Sequence, residues 1–112
     1  RTTLEIRTAT PGWLLWTYGC PGGESVDQVS MRADQAVNLA IQHMAERDVV
    51  FVGHGHFSRA VMTRWMELPI TDGIRISMAA ASIRFGGIAR NWLRIQKVPN
   101  ATDWAIWGAA GC

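Results

Sequence analysis

Val49-Val50-Phe51-Val52-Gly53-His54-Gly55-His56-Phe57-Ser58-Arg59 is the run on which the reading of the whole chain turns. Four apolar, mostly β-branched residues predict a strand buried on both faces, the pattern of a parallel sheet. Gly53 and Gly55 then allow a tight turn whose backbone can come close to a ligand. From Phe57 the period becomes helical, with Phe57, Val61, Trp65 and Leu68 on one face. A strand, a glycine-histidine turn and a helix start make a site at the carboxyl end of a parallel strand. The helix N-terminus attracts an anion, and His54, His56 and Arg59 stand beside it. The first expectation is therefore a phosphate-type anion site.

Working back toward the amino terminus, Ser25 and Gln28 form a capping box ahead of a long helix. Val26, Val29, Ala33, Ala36, Val37, Ala40, Ile41 and Met44 follow the spacing of one buried face, and the helix should end near Arg47-Asp48. Residues 1–12 are helix-compatible until Pro11-Gly12. Trp13-Leu14-Leu15-Trp16 then precedes the turn-rich Gly19-Cys20-Pro21-Gly22-Gly23. The plainer reading of these tryptophans is a helical turn capping the core; the functional alternative is a lid over a pocket. On the carboxyl side, Pro69 stops the helix and Thr71-Asp72-Gly73 turns the chain. Ser82–Phe85 and Trp92–Val98 alternate polar and apolar residues, predicting an antiparallel hairpin around the Gly86–Asn91 loop. The tail beyond Pro99 has no clear period. The order of elements gives an α/β class with a parallel core and an appended hairpin.

Composition narrows the function. The chain has 112 residues, 48% of them hydrophobic and 18% charged, enough for one folded domain. A formal charge of +2, with scattered basic residues, gives no reason to expect nucleic acid. No apolar run is long enough for a membrane span. Cys20 and Cys112 make neither a disulfide framework nor a zinc pattern, so a reducing cytoplasm is the default expectation. The chain opens at Arg1 rather than at a methionine, which suggests a piece of something longer.

His54 follows the strand and one glycine, so it should project from the strand's carboxyl end. There it could grip a transferring phosphoryl group or act as acid or base. The alternative is a histidine hydrogen-bonded to nearby backbone. His56 either contacts the ligand or caps the helix in water, and Arg59 either closes on an anion or is a solvated surface arginine. His54 and His56 together also admit a metal hydrolase, but carboxylates are missing nearby and Arg59 would repel a cation. Neither metal nor cofactor is expected.

The stretch from Val49 to Ala60 resembles the second-histidine motif of the histidine phosphatase superfamily, the phosphoglycerate-mutase-like proteins. Gly23-Glu24-Ser25, opening a helix that carries Arg32, resembles the family's GES segment. Ala80-Ala81-Ser82-Ile83 and the hairpin resemble its closing strands. The similarity runs over residues 10–98 approximately and is nearest to small bacterial acid phosphatases.

This resemblance implies a partial three-layer α/β/α sandwich with its first strand missing: residues 1–98 are the C-terminal part of a histidine phosphatase domain, and 99–112 are a tail. It gives His54 the role of second active-site histidine, places Gly55 and His56 in the same pocket, and puts Glu24 near the substrate entrance or in a loop-fixing role. The family's nucleophile lies in an Arg-His-Gly motif that residues 1–112 do not contain. The implied activity is metal-independent hydrolysis of a small phosphorylated metabolite through a phosphohistidine, with no turnover by this chain alone. Mutase-type transfer in the intact parent and a vestigial anion-binding fragment are the alternatives. The uncovered strand should invite self-association through the sheet edge.

Overall fold

The computed structural model describes residues 2–78, together with the backbone of 82–86 and 93–97. The helices are α1 (Thr3–Ala9), α2 (Leu15–Tyr18), α3 (Val26–Met44) and α4 (Gly55–Trp65), followed by a 3-10 helix over Ile70–Arg75. Strands β1 (Ser82–Gly86) and β2 (Leu93–Lys97) pair antiparallel with Ser82 opposite Lys97 and Gly86 opposite Leu93. The expected hairpin is therefore present in the backbone. Its loop, the tail 99–112 and Trp92 lie outside the described residues.

Local signals set the helices. The Ser25 hydroxyl accepts from Gln28 N–H, and the Gln28 side chain accepts from Ser25 N–H, closing the start of α3 as expected. Thr2 and Glu5 do the same for α1. At its other end α4 stops at Met66 and turns through Glu67, whose φ of 60° is left-handed. Leu68 N–H reaches Thr63 O and Glu67 N–H reaches Arg64 O, the Schellman pattern, and Pro69 prevents continuation. Leu68 thus falls outside the helix that its spacing suggested.

The core lies between α3 and α4. Ala33, Val37 and Ala40 face Ala60, Val61 and Trp65, with Trp16 from α2 closing one end. Alanines let the helices approach, while the two indoles fill the remaining volume. Burial of these side chains is the main stabilising term, at about 1.5–3 kcal/mol for each large one. Of the predicted α3 face, Ile41 is exposed. Arg64 on α4 forks onto Asp34 on α3 at 2.6 and 3.3 Å, fixing the rotation of one helix against the other. Thr63 is fully buried and satisfies its hydroxyl on Arg59 O at 2.7 Å. Trp13 does so through its indole N–H on Gly19 O.

Two expectations need correction. The Val49–Val52 run is not a strand. Residues 48–54 have no regular secondary structure, and among the described residues there is no parallel pair. A strand exists only through a neighbour's ladder, and no described segment supplies one. Val50 and Val52 are 82% and 95% exposed, the reverse of burial on both faces. Cys20 carries no free thiol, against the expectation of reduced cysteines. Among the described residues no helix is long and apolar enough to cross a membrane.

Candidate functional site

His54 is the N-cap of α4, extended at φ −81° and ψ 154°, with its imidazole exposed and making no capping bond. Its carbonyl accepts the first helical bond, from Ser58 N–H at 2.8 Å. Helix geometry leaves the N–H groups of Gly55, His56 and Phe57 without intrahelical acceptors. The first turn contains no acidic residue. The predicted turn therefore places one imidazole and three outward-directed amides around the positive end of an 11-residue helix. The helix starts two residues earlier than its apolar period indicates, because glycine and histidine carry no periodic signal.

His56 lies one residue inside the helix, its ring edge-on to Trp16 with centroids 6.4 Å apart. Shielding from water, and after it the nearby Arg59 charge, hold its pKa below the ordinary imidazole value. The neutral imidazole is thus favoured.

Arg59 is turned toward protein. Its Nε and Nη2 donate to Gly73 O at 3.1 and 2.7 Å, Nη2 also reaches Ile74 O, and the guanidinium lies 5.0 Å from the Trp16 ring centre. Partial burial lowers its pKa. Arginine remains protonated throughout the ordinary pH range. Trp16 in turn lies directly on Gly73: a Cβ there would collide with Cζ3 of the indole. This cluster seats the inner side of the α4 first turn.

Glu24 stands just before α3, in a turn that needs Gly19. That glycine has a φ of 69°, and a Cβ on it would meet Glu24 O at 2.9 Å. Both Glu24 oxygens are taken by Arg32, at 2.9 and 2.7 Å. The hydrogen bonds from Arg32 hold the carboxyl below its ordinary range. Arg32 also stacks on Phe57, 3.8 Å from guanidinium carbon to ring centre. By its spacing Phe57 is only a core residue, and nothing in the sequence pairs Arg32 with it. An eight-residue spacing across a helix start gives no i, i+4 signal that would have revealed the pair. No group of three His, Cys, Asp or Glu side chains stands together as a metal site among the described residues.

The family model of the histidine phosphatase superfamily (branch 1) matches residues 1–100. Over 86 residues the chain is 60% identical to an acid phosphatase of Mycobacterium tuberculosis, taking in 77% of this chain and 42% of that protein. It is 31% identical over 65 residues to a sedoheptulose 1,7-bisphosphatase of Saccharomyces cerevisiae, covering 52% of this chain and 24% of the yeast protein. The solved structure of a Mycobacterium tuberculosis open reading frame superposes with a TM-score of 0.76 at 55% identity, covering 85% of this chain and 49% of that one. The chain spans less than half the length of each of these proteins.

Proposed function

The chain belongs to the histidine phosphatase superfamily, branch 1, and on that footing we propose that the open end of α4 is the second-histidine half of a phosphomonoesterase site. The family match supports phosphatase chemistry in general, as do relatives named acid phosphatase and bisphosphatase. The observation that carries the reading is the uncapped α4 start, with His54 exposed and no acid in the first turn. In this reading a small phosphorylated metabolite places its phosphoryl oxygens against His54 and the Gly55, His56 and Phe57 amides. Arg59 adds positive field from behind, and Glu24 fixes the loop at the rim.

The reaction needs a histidine nucleophile from an Arg-His-Gly segment, which residues 1–112 do not contain. Its nitrogen forms the N–P bond as the P–O bond to the leaving alcohol breaks, and the alcohol takes up a proton. Water then attacks phosphorus, the N–P bond breaks, and phosphate departs. His54 stabilises the charge gathered on the transferring group in both steps. We infer that this chain alone binds phosphate but does not turn over substrate.

In the whole domain, Val49–Val52 becomes a parallel core strand of a three-layer α/β/α sandwich once a neighbouring strand covers it. Left uncovered, the same run drives self-association, seen as a sedimentation coefficient that rises with concentration; a constant monomer value would remove that part.

Titration with inorganic phosphate, followed at the α4 amides by NMR, tests the site. Saturable shifts at Gly55–Phe57 are expected, weakened in His54→Ala by about tenfold or more, as for loss of a hydrogen bond to a charged group. Shifts that ignore His54, or that are absent, would reject the proposal.

A further inference from the structure

We infer that Arg32 is a positioning residue, holding the first turn of α4 in its anion-binding geometry through Phe57. This deepens the reading of α4 as the phosphoryl-binding element and rests on it. The geometry joins three elements. Arg32 comes from α3; its Nε and Nη2 are both engaged by Glu24 in the preceding turn. The planar guanidinium, fixed on one edge by the carboxylate, lies over the Phe57 ring at 3.8 Å. Phe57 is the third residue of α4, so its backbone N–H is one of the three unpaired amides. Its ring packs against the α3–α4 core as well. Phe57 is thus held between hydrocarbon on one side and a cation on the other.

A helix end without a side-chain cap frays more readily than a capped one, and α4 has none. Arg32 supplies from outside the helix what a capping box supplies from within: it restrains the first turn without occupying its N–H groups. Glu24 makes the restraint geometric. An unforked arginine would sample many rotamers, whereas a two-pronged pair presents one plane to the ring. The same carboxylate offsets much of the guanidinium charge, so the effect on an anion comes mainly through placement.

The test uses Arg32→Met, which keeps an apolar stem of similar length, and Phe57→Leu, which keeps an apolar side chain but removes the π face. Each is expected to weaken inorganic phosphate binding by about two- to fivefold, the size of one cation–π contact. The double variant should be no weaker than the more affected single one, because both changes remove the same contact. Hydrogen exchange at Ser58, whose N–H closes the first turn on His54 O, should accelerate in both. Asp34→Asn, which damages the ion pair that joins α3 to α4, should lower stability while leaving the phosphate Kd unchanged. Arg32→Lys should fall between wild type and Arg32→Met.

Weakened binding in Arg32→Met with none in Phe57→Leu, or losses in the two that add in the double variant, would mean that Arg32 meets the anion directly and would overturn the inference. So would unchanged Kd values beside a wild type that binds. A wild type that binds no phosphate would reject the parent reading; unchanged Ser58 exchange in Arg32→Met would reject the Arg32–Phe57 coupling independently.

Discussion

The amino-terminal ends of α3 and α4 lie on two helices packed against each other, yet they solve the same electrostatic problem in opposite ways. At α3, Ser25 and Gln28 exchange hydrogen bonds and Asp27 adds a negative charge in the first turn. The orphan amides and the helix dipole are answered within four residues of sequence. At α4 the N-cap is a histidine that makes no capping bond, and the first turn carries no acid. Support comes from elsewhere: Arg32 over Phe57, Arg59 anchored to the Gly73 and Ile74 carbonyls, and Trp16 beneath. A helix end that satisfies itself is finished structure. One held by its neighbours, with its own donors left open, is equipped to take a ligand.

The contrast predicts that α4 depends on distant contacts where α3 does not. The largest effect is expected at Gly73. In Gly73→Ala the new Cβ would collide with the Trp16 ring, and both the indole and the Arg59 anchor must shift. Overpacking of this kind costs about 1–3 kcal/mol. The urea midpoint should fall accordingly with little change in m value. An unchanged midpoint would show that Trp16 can step aside and that α4 does not lean on the 3-10 turn.

Next in size is an exchange of capping chemistry. His54→Asp gives α4 a side-chain acceptor and a negative charge, which should stabilise the fold by roughly 0.5–1 kcal/mol. It should also reduce phosphate affinity by about tenfold or more, since the new carboxylate occupies the amides and repels the anion. Ser25→Ala should do the reverse, losing about 1 kcal/mol of stability with the phosphate Kd unchanged. If both variants moved stability in the same direction, the two helix ends would be alike and the distinction would fail.

How much of this could be read in the sequence follows the range of the interactions. The α3 cap was legible because both partners lie within four residues. The Trp13–Trp16 turn was legible as a core cap, and both indoles are buried. The hairpin was legible because its alternation is local. The Val49–Val52 strand was not, since a β-branched run states a preference that only a neighbouring strand can satisfy. For Arg59 the sequence leaves open an anion partner or solvent; the carbonyls 14 and 15 residues away that engage it are announced by no periodicity. The Arg32–Phe57 contact is equally silent, as stacking across helices leaves no spacing rule.

Gly55 offers a finer discrimination. Nothing lies within 4 Å of a Cβ built there, and its backbone has no left-handed φ. Alanine at this first helical position should therefore change stability by no more than about 0.5–1 kcal/mol, in the stabilising direction. If phosphate affinity nevertheless falls, the glycine is required by close approach of the ligand. If affinity holds, glycine at this position has no binding role, and the open end is made by His54 and the amides alone.

The smallest effect separates the two ends by pH. His56, at the open end, has its pKa lowered by loss of water and by Arg59. In the unfolded chain its value returns to about 6.5. Between that value and the lower folded one, the unfolded chain binds a proton that the folded chain refuses. Stability therefore falls as pH drops below about 6.5, and the His56 contribution is flat above it. Glu24, beside the closed end, is also lowered, chiefly by its hydrogen bonds to Arg32. Its contribution is present above the ordinary carboxylate value and is lost only as pH falls through and below that value. Urea midpoints measured from pH 7.5 downward should thus show two limbs. His56→Asn should flatten the upper limb and leave the acid one, and Glu24→Gln should do the opposite. Because much of His56 faces water, the upper limb should be shallow. A full upper limb surviving in His56→Asn would assign the titration to another group and detach the Trp16–His56–Arg59 cluster from the behaviour of the open end.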